Sequence, residues 1–238
     1  MTSRSPADRP GGAEPTLSLP GRFRAAIFDL DGLLLDTEPG WQRAETELLR
    51  RHGDTYTEAD AAASLGSPVW EVVDRYAARL GLDGDGRDRL LGELLELARA
   101  EYAGRLELLP GAIALLDSLQ GRLPMAVASN TPRELVVQAL AASGLARYFD
   151  VVVTAEEVPN PKPAPDIYIA ACRELAVTPS EAVALEDSAL GISAARQAGL
   201  TVIAVPQSSA VDTSAAYHVI GSLSELVVKE PPSGEPSQ

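Results

Sequence analysis

Five short apolar runs, at residues 25–30, 125–128, 151–153, 182–185 and 201–205, are nearly continuous rather than alternating, and helical patterns separate most of them. A strand with one wet face alternates apolar and polar residues, whereas one covered on both faces reads as an unbroken apolar run. Strand-helix-strand alternation built on such runs predicts an α/β fold: a parallel sheet with helices on both faces. The helix signals agree. Thr131-Pro132-Arg133-Glu134 reads as a capping box with Pro at the first helical position, opening a helix whose Leu135, Val136, Ala139 and Leu140 share a face until Gly144. Pro165-Asp166 opens another, and residues 189–198 read as a third, ended by Gly199.

One interval breaks this rhythm. Between the first strand and the Pro110-Gly111 turn lie about 75 residues without a convincing strand, far beyond an ordinary connection in an α/β unit. Val69, Val72, Val73, Tyr76 and Leu80 fall on one helical face closed by Gly81, and an Ala/Leu/Glu-rich stretch follows over 87–102. Residues 37–104 are therefore expected to form a small α-helical cap inserted into a core made of 23–36 and 105–228. The ends, 1–22 and 229–238, are rich in Pro, Gly and Ser and lack apolar content, so they are expected to be disordered tails.

Charge and cysteine content narrow the partners. With 20 Lys+Arg against 34 Asp+Glu the formal charge is −14, which offers no positive field to a nucleic-acid backbone. The single cysteine, Cys172, fits a reducing compartment. Residues 1–21 lack the apolar core of a signal peptide, and no run approaches a transmembrane span. A monomeric, cytoplasmic protein with no nucleic-acid or membrane partner is expected.

The chemistry gathers at strand ends. The first strand runs into Asp29-Leu30-Asp31-Gly32, where alternation lets Asp29 and Asp31 project together. Two like charges so close repel unless a cation or a shared proton intervenes. Ser129-Asn130 follow a second strand and Glu186-Asp187 a third. Ligands of parallel sheets bind outside the carboxyl ends of the strands, so three segments deliver polar groups to one rim. Lys162, between prolines in Asn160-Pro161-Lys162-Pro163-Ala164-Pro165, is a point charge on a stiff mount. Each motif alone has a plainer use as a turn, a helix cap or a solvated loop.

Together these motifs resemble the four motifs of the haloacid dehalogenase superfamily. The longer strings Phe28-Asp29-Leu30-Asp31-Gly32-Leu33-Leu34-Leu35-Asp36-Thr37-Glu38 and Lys162-Pro163-Ala164-Pro165-Asp166-Ile167-Tyr168 resemble its β-phosphoglucomutase-like phosphatase branch. The resemblance implies a Rossmannoid core with a helical cap. It also implies a Mg²⁺-dependent phosphatase that hydrolyses a small phosphorylated metabolite, a sugar phosphate or similar, through an aspartyl-phosphate. Asp29 would be the nucleophile and Asp31 the general acid and base. Ser129, Asn130 and Lys162 would bind the phosphoryl group, and Gly66, in the cap string Gly66-Ser67-Pro68-Val69-Trp70, would face the substrate. Asp29, the Asp31 carbonyl, Asp187 and Glu186, directly or through water, would hold the metal.

Halide removal is disfavoured by Asp31 and the Glu186-Asp187 pair, and a receiver-type signalling domain by the length and the insertion. A non-catalytic phosphate-binding protein is weakened by the intact acid set. A sugar phosphomutase stays open as an alternative. Phosphoglucomutases of the branch carry a His after the first motif and an Arg in the cap loop, where this chain has Trp41 and Val69, so net hydrolysis is expected.

Overall fold

The computed structural model describes residues 18–19, 23–104 and 106–228. The chain runs through β1 (Ser18–Leu19), β2 (Ala25–Phe28), β3 (Leu35–Asp36), α1 (Glu38–Arg51), α2 (Glu58–Ser64), α3 (Val69–Leu80), α4 (Gly84–Tyr102) and β4 (Glu107–Leu108). It continues through α5 (Ala112–Leu119), β5 (Met125–Ser129), α6 (Arg133–Ser143), β6 (Val151–Thr154), α7 (Asp166–Glu174) and β7 (Ala182–Glu186). The last elements are α8 (Ala189–Ala198), β8 (Thr201–Ala204), β9 (His218–Val219) and β10 (Val227–Val228).

Six strands form a parallel sheet in the order β6-β5-β2-β7-β8-β9. The chain starts in the middle, winds outward through β5 and β6, and returns to wind outward through β7 and β8, which makes β2 the point where the direction reverses. Alternation along each strand splits the core in two. Ala26, Phe28, Met125, Val127, Val183 and Leu185 pack under α5 and α6, whereas Ala25, Ile27, Ala126, Ala128, Ala182 and Ala184 pack under α7 and α8. The second face carries mostly alanine, so α7 and α8 supply the bulk there through Ile167, Tyr168, Ala171 and Ile192.

Between β3 and β4, which pair antiparallel, stand α1 to α4. They close a separate core around Leu48, Leu49, Val72, Val73, Tyr76, Leu90 and Leu94. The face anticipated for α3 is the buried one, and Gly81 ends it in a left-handed cap.

One local expectation fails. The capping box at Thr131-Glu134 does not form: α6 begins at Arg133 with Pro132 as its cap, Thr131 donates its hydroxyl to Asp31 instead, and Glu134 pairs with Arg99. As a cap the hydroxyl would accept from a backbone N–H, whereas here it is placed to donate to a carboxylate, a charge-assisted and stronger hydrogen bond. Ahead of α3, whose N-cap is Pro68, Ser67 donates its hydroxyl to the Ala63 carbonyl. The expected tails lie outside the described residues except for Ser18–Leu19, which pair in parallel with β10, and Arg105, where the core is expected to resume, lies outside them too. Among the described residues no helix is long and apolar enough to cross a membrane.

Candidate active site

Because β5, β2 and β7 are neighbours, the loops leaving them share one rim. This adjacency brings together Asp29 and Asp31 after β2, Ser129 and Asn130 at the end of β5, and Glu186 and Asp187 at the end of β7. Lys162 reaches the same place from the loop before α7. Its ammonium has three donors, and they go to Asp29 Oδ1 (2.5 Å), Glu186 Oε1 (2.5 Å) and the Ala128 carbonyl (2.8 Å). The side chain is 2% exposed, so both ion pairs are withdrawn from water.

Asn130 fixes that loop. Its Oδ1 accepts from the Lys162 backbone N–H (3.0 Å), and its Nδ2 donates to the Lys162 carbonyl (3.3 Å) and to the Gly66 carbonyl (2.8 Å). One amide thus ties the lysine loop to the loop between α2 and α3.

Asp31 is gripped by four hydroxyls. Oδ1 accepts from Thr37 (2.7 Å) and Tyr102 (2.5 Å), and Oδ2 from Ser129 (3.1 Å) and Thr131 (2.8 Å). Tyr102 OH in turn accepts from Trp41 Nε1 (2.9 Å). Thr37 precedes α1 and Tyr102 ends α4, so both crossings between the helical insert and the sheet contribute a donor to this carboxylate.

Glu186 stands apart from the other acids. Oε1 accepts from Lys162 and from Tyr168 OH (2.6 Å), and Oε2 from the backbone N–H groups of Asp187 and Ser188 and from Ser188 Oγ (3.2 Å). Both oxygens are committed to the protein and the residue is fully buried. It fits only because residue 191 is glycine, since a β-carbon there would lie 1.8 Å from Oε1. Asp187, by contrast, lines the cavity and lies against Gly32, whose φ of +77° and missing side chain make room for Oδ2.

Burial sets the electrostatics. It pushes the Asp29 carboxyl up to about 8, with Lys162 pulling the other way and Glu186 and Asp31 adding to the rise. Burial, then Asp29 and Glu186, hold Asp187 well above the usual carboxylate range. Asp29 and Glu186 more than offset the desolvation of Lys162 and keep it charged.

Above this floor is a cavity of about 300 Å³, roofed by Trp41, Glu45, Ser64, Leu65, Gly66 and Val69 of the insert. Glu45 is buried, and its carboxyl is pushed up to about 6, chiefly by desolvation, with hydrogen bonds from Tyr76 and Ser64 opposing the rise. A folded-state value above the unfolded one means stability is lost as pH rises through it. Glu45→Gln should therefore gain up to about 2 kcal/mol relative to the wild type between pH 4.5 and 7.5, read from the difference in urea unfolding free energies. A difference independent of pH would contradict the assignment.

Thr37, Tyr102 and Thr131 on Asp31, Tyr168 on Glu186, and Glu45 in the roof are site residues that sequence reasoning did not single out. Thr37 lies inside the first motif string and Thr131 beside the second. Tyr102 and Glu45 carry no signal in spacing, because only tertiary folding brings α1 and α4 over the sheet.

A parallel sheet that holds a buried lysine between carboxylates at its reversal point, beneath a helical insert, defines an α/β enzyme. The chain belongs to the haloacid dehalogenase-like hydrolases: the model of that family matches residues 23–199. It is 36% identical over 184 residues to the fructose-1-phosphate phosphatase YqaB of Escherichia coli K12, covering 77% of this chain and 97% of that one. It is 34% identical over 221 residues to hexitol phosphatase B of the same strain, covering 90% and 99%. Among solved structures, CbbY of Rhodobacter sphaeroides in complex with xylulose-1,5-bisphosphate matches with a TM-score of 0.75 and 30% identity, over 85% of this chain and 96% of that one.

Proposed function

We propose that the chain hydrolyses a small phosphomonoester by passing the phosphoryl group through Asp29. The observation that carries this reading is the Asp29 carboxylate itself. Asp29 lines the cavity two residues from Asp31, its Oδ1 is held by Lys162, and among the described residues no hydrogen bond goes to Oδ2.

Asp29 attacks phosphorus and the bond to the leaving oxygen breaks, with Asp31 giving that oxygen its proton. Asp31, now a carboxylate, takes a proton from water as the water attacks the phosphoryl group, which frees phosphate and restores Asp29. When Asp31 carries the proton, one of its four hydroxyl partners turns to accept, which a hydroxyl can do without moving its oxygen. Lys162 stays charged throughout and offsets the negative charge that Asp29 and the phosphoryl oxygens bring together. Asn130 and Glu186 position Lys162, and Ser129 lies where it can turn from Asp31 to a phosphoryl oxygen.

The residues fit Mg²⁺. Asp29, Glu186 and Asp187 set three buried carboxyl groups beside one ammonium, and a divalent cation would favour the ionised forms of Asp29 and Asp187 that burial disfavours. Among the described residues no three acidic, His or Cys side chains form a cage by themselves. Mg²⁺ needs none, since it keeps several waters and takes one or two carboxylates plus substrate phosphate. Asp29, Asp187 and the Asp31 carbonyl would hold it, with Glu186 committed to Lys162. When bound it would supply Lewis-acid stabilisation of the phosphoryl oxygens.

A sugar phosphomutase finds less support. Trp41 spends its only donor on Tyr102, and Val69 packs in the core of the insert. Phosphate release from fructose 1-phosphate and glucitol 6-phosphate is the test. Release is expected with Mg²⁺, to fall at least about 100-fold with excess chelator, and to return with added Mg²⁺. Full activity without metal would remove the cation from this account, and isomerised sugar phosphate outpacing free phosphate would overturn hydrolysis.

A further inference from the structure

The roof of the cavity is acidic. Glu38 and Glu45 line it from the insert and Asp36 from the strand that leads into the insert, and among the described lining residues Lys162 is the only cation, with all three of its N–H groups already taken. Arg75 donates to the Ala63 carbonyl (2.9 Å) and to Ser64 Oγ (3.4 Å) and does not line the cavity. An anion placed beyond the phosphoryl site would therefore meet carboxylates and no free positive group.

Glu45 has the geometry of a built acceptor. It is 3% exposed. Ser64 Oγ (3.0 Å) and Tyr76 OH both donate to Oε2. No buried side-chain oxygen among the described residues lacks a partner. Oε1, which receives no donor from those residues, is thus the atom that opens into the cavity. A carboxylate oxygen only accepts, so its ligand has to donate. The cavity is at the small end of ligand sites, which suits a compact group.

We propose that Glu45 is a specificity-determining residue whose Oε1 accepts hydrogen bonds from the hydroxyls of a polyol or sugar leaving group, and that with Glu38 and Asp36 it excludes leaving groups bearing a second phosphate or a carboxylate. This rests on the phosphatase reading and deepens it. Relatives of similar identity include both a fructose-1-phosphate phosphatase and a protein bound to a sugar bisphosphate, and the roof of this chain assigns it to the first kind of substrate.

The test compares kcat/KM with Mg²⁺ for fructose 1-phosphate, fructose 1,6-bisphosphate, phosphoglycolate and p-nitrophenyl phosphate. The wild type should prefer fructose 1-phosphate to the bisphosphate and to phosphoglycolate by at least about 100-fold. In Glu45→Gln the ratio of fructose 1-phosphate to p-nitrophenyl phosphate should fall on the order of 10-fold, mainly through KM, because a charged acceptor becomes a neutral one. Glu38→Gln should narrow the discrimination against the bisphosphate several-fold, and the wild-type comparison stands even if Glu45→Gln does not fold. Bisphosphate turnover within threefold of fructose 1-phosphate, or an unchanged ratio in a folded Glu45→Gln, would overturn the proposal. If p-nitrophenyl phosphate is then still hydrolysed, the phosphatase reading survives; if the wild type releases phosphate from none of the four, both fall.

Discussion

Asp29→Asn is expected to lower phosphate release by at least about 10³-fold while the protein unfolds at the wild-type temperature or above it. The carboxamide matches the carboxylate in shape and still accepts from Lys162, so packing and the hydrogen bond are kept. What is lost is the nucleophile, because an amide oxygen does not displace an alkoxide from phosphorus. The wild-type carboxylate sits where burial disfavours its charge, and a neutral group in its place removes that cost. Calorimetry beside a phosphate-release assay separates the effects. Retained turnover in a folded Asp29→Asn protein would contradict the nucleophile assignment, and a large fall in stability would mean that Asp29 is chiefly structural.

The largest loss of stability is expected from Lys162→Met, at about 3–5 kcal/mol, with activity lost as well. Methionine fills the space of the aliphatic stem but leaves Glu186, fully buried, without its cation. The exposed pairs of the insert, such as Arg50 with Glu47 and Arg43 with Glu101, differ in kind, since solvent screens them and their loss leaves no buried charge behind. Combining Lys162→Met with Glu186→Gln should recover part of the loss, because the orphaned charge is removed. Urea unfolding of both variants measures the coupling. A loss below about 1 kcal/mol in Lys162→Met would contradict a buried, mutually dependent cluster.

The sheet was legible because its strands are buried on both faces, and a run such as Met125-Ala126-Val127-Ala128 leaves few other solutions. The edge strand His218–Val219 was not, since two residues with one exposed side chain carry no period. The short ladders β1/β10 and β3/β4 escaped for the same reason: their pairing is set by tertiary closure, not by local pattern. At the site, residues on the strand ends could be read because the sheet order fixes where they meet. Their partners could not. The Thr131-Glu134 spacing is a sound capping signal, yet Asp31, 100 residues away, takes the Thr131 hydroxyl. The partners of Glu186 were equally hidden: nothing local in the sequence shows that its Oε1 meets Lys162 and Tyr168, which come from the loop before α7 and from α7 itself.

The central claim is a phosphoryl group carried on Asp29. Its most direct test is acid quenching of a reaction with Mg²⁺ and fructose 1-[³²P]phosphate within one turnover, followed by proteolysis and mass spectrometry of the labelled peptide. The account predicts a hydroxylamine-labile phosphate on the peptide containing Asp29, absent from Asp29→Asn and decaying as free phosphate appears. Free phosphate formed at full rate with no label on that peptide, or label on another residue, would contradict it.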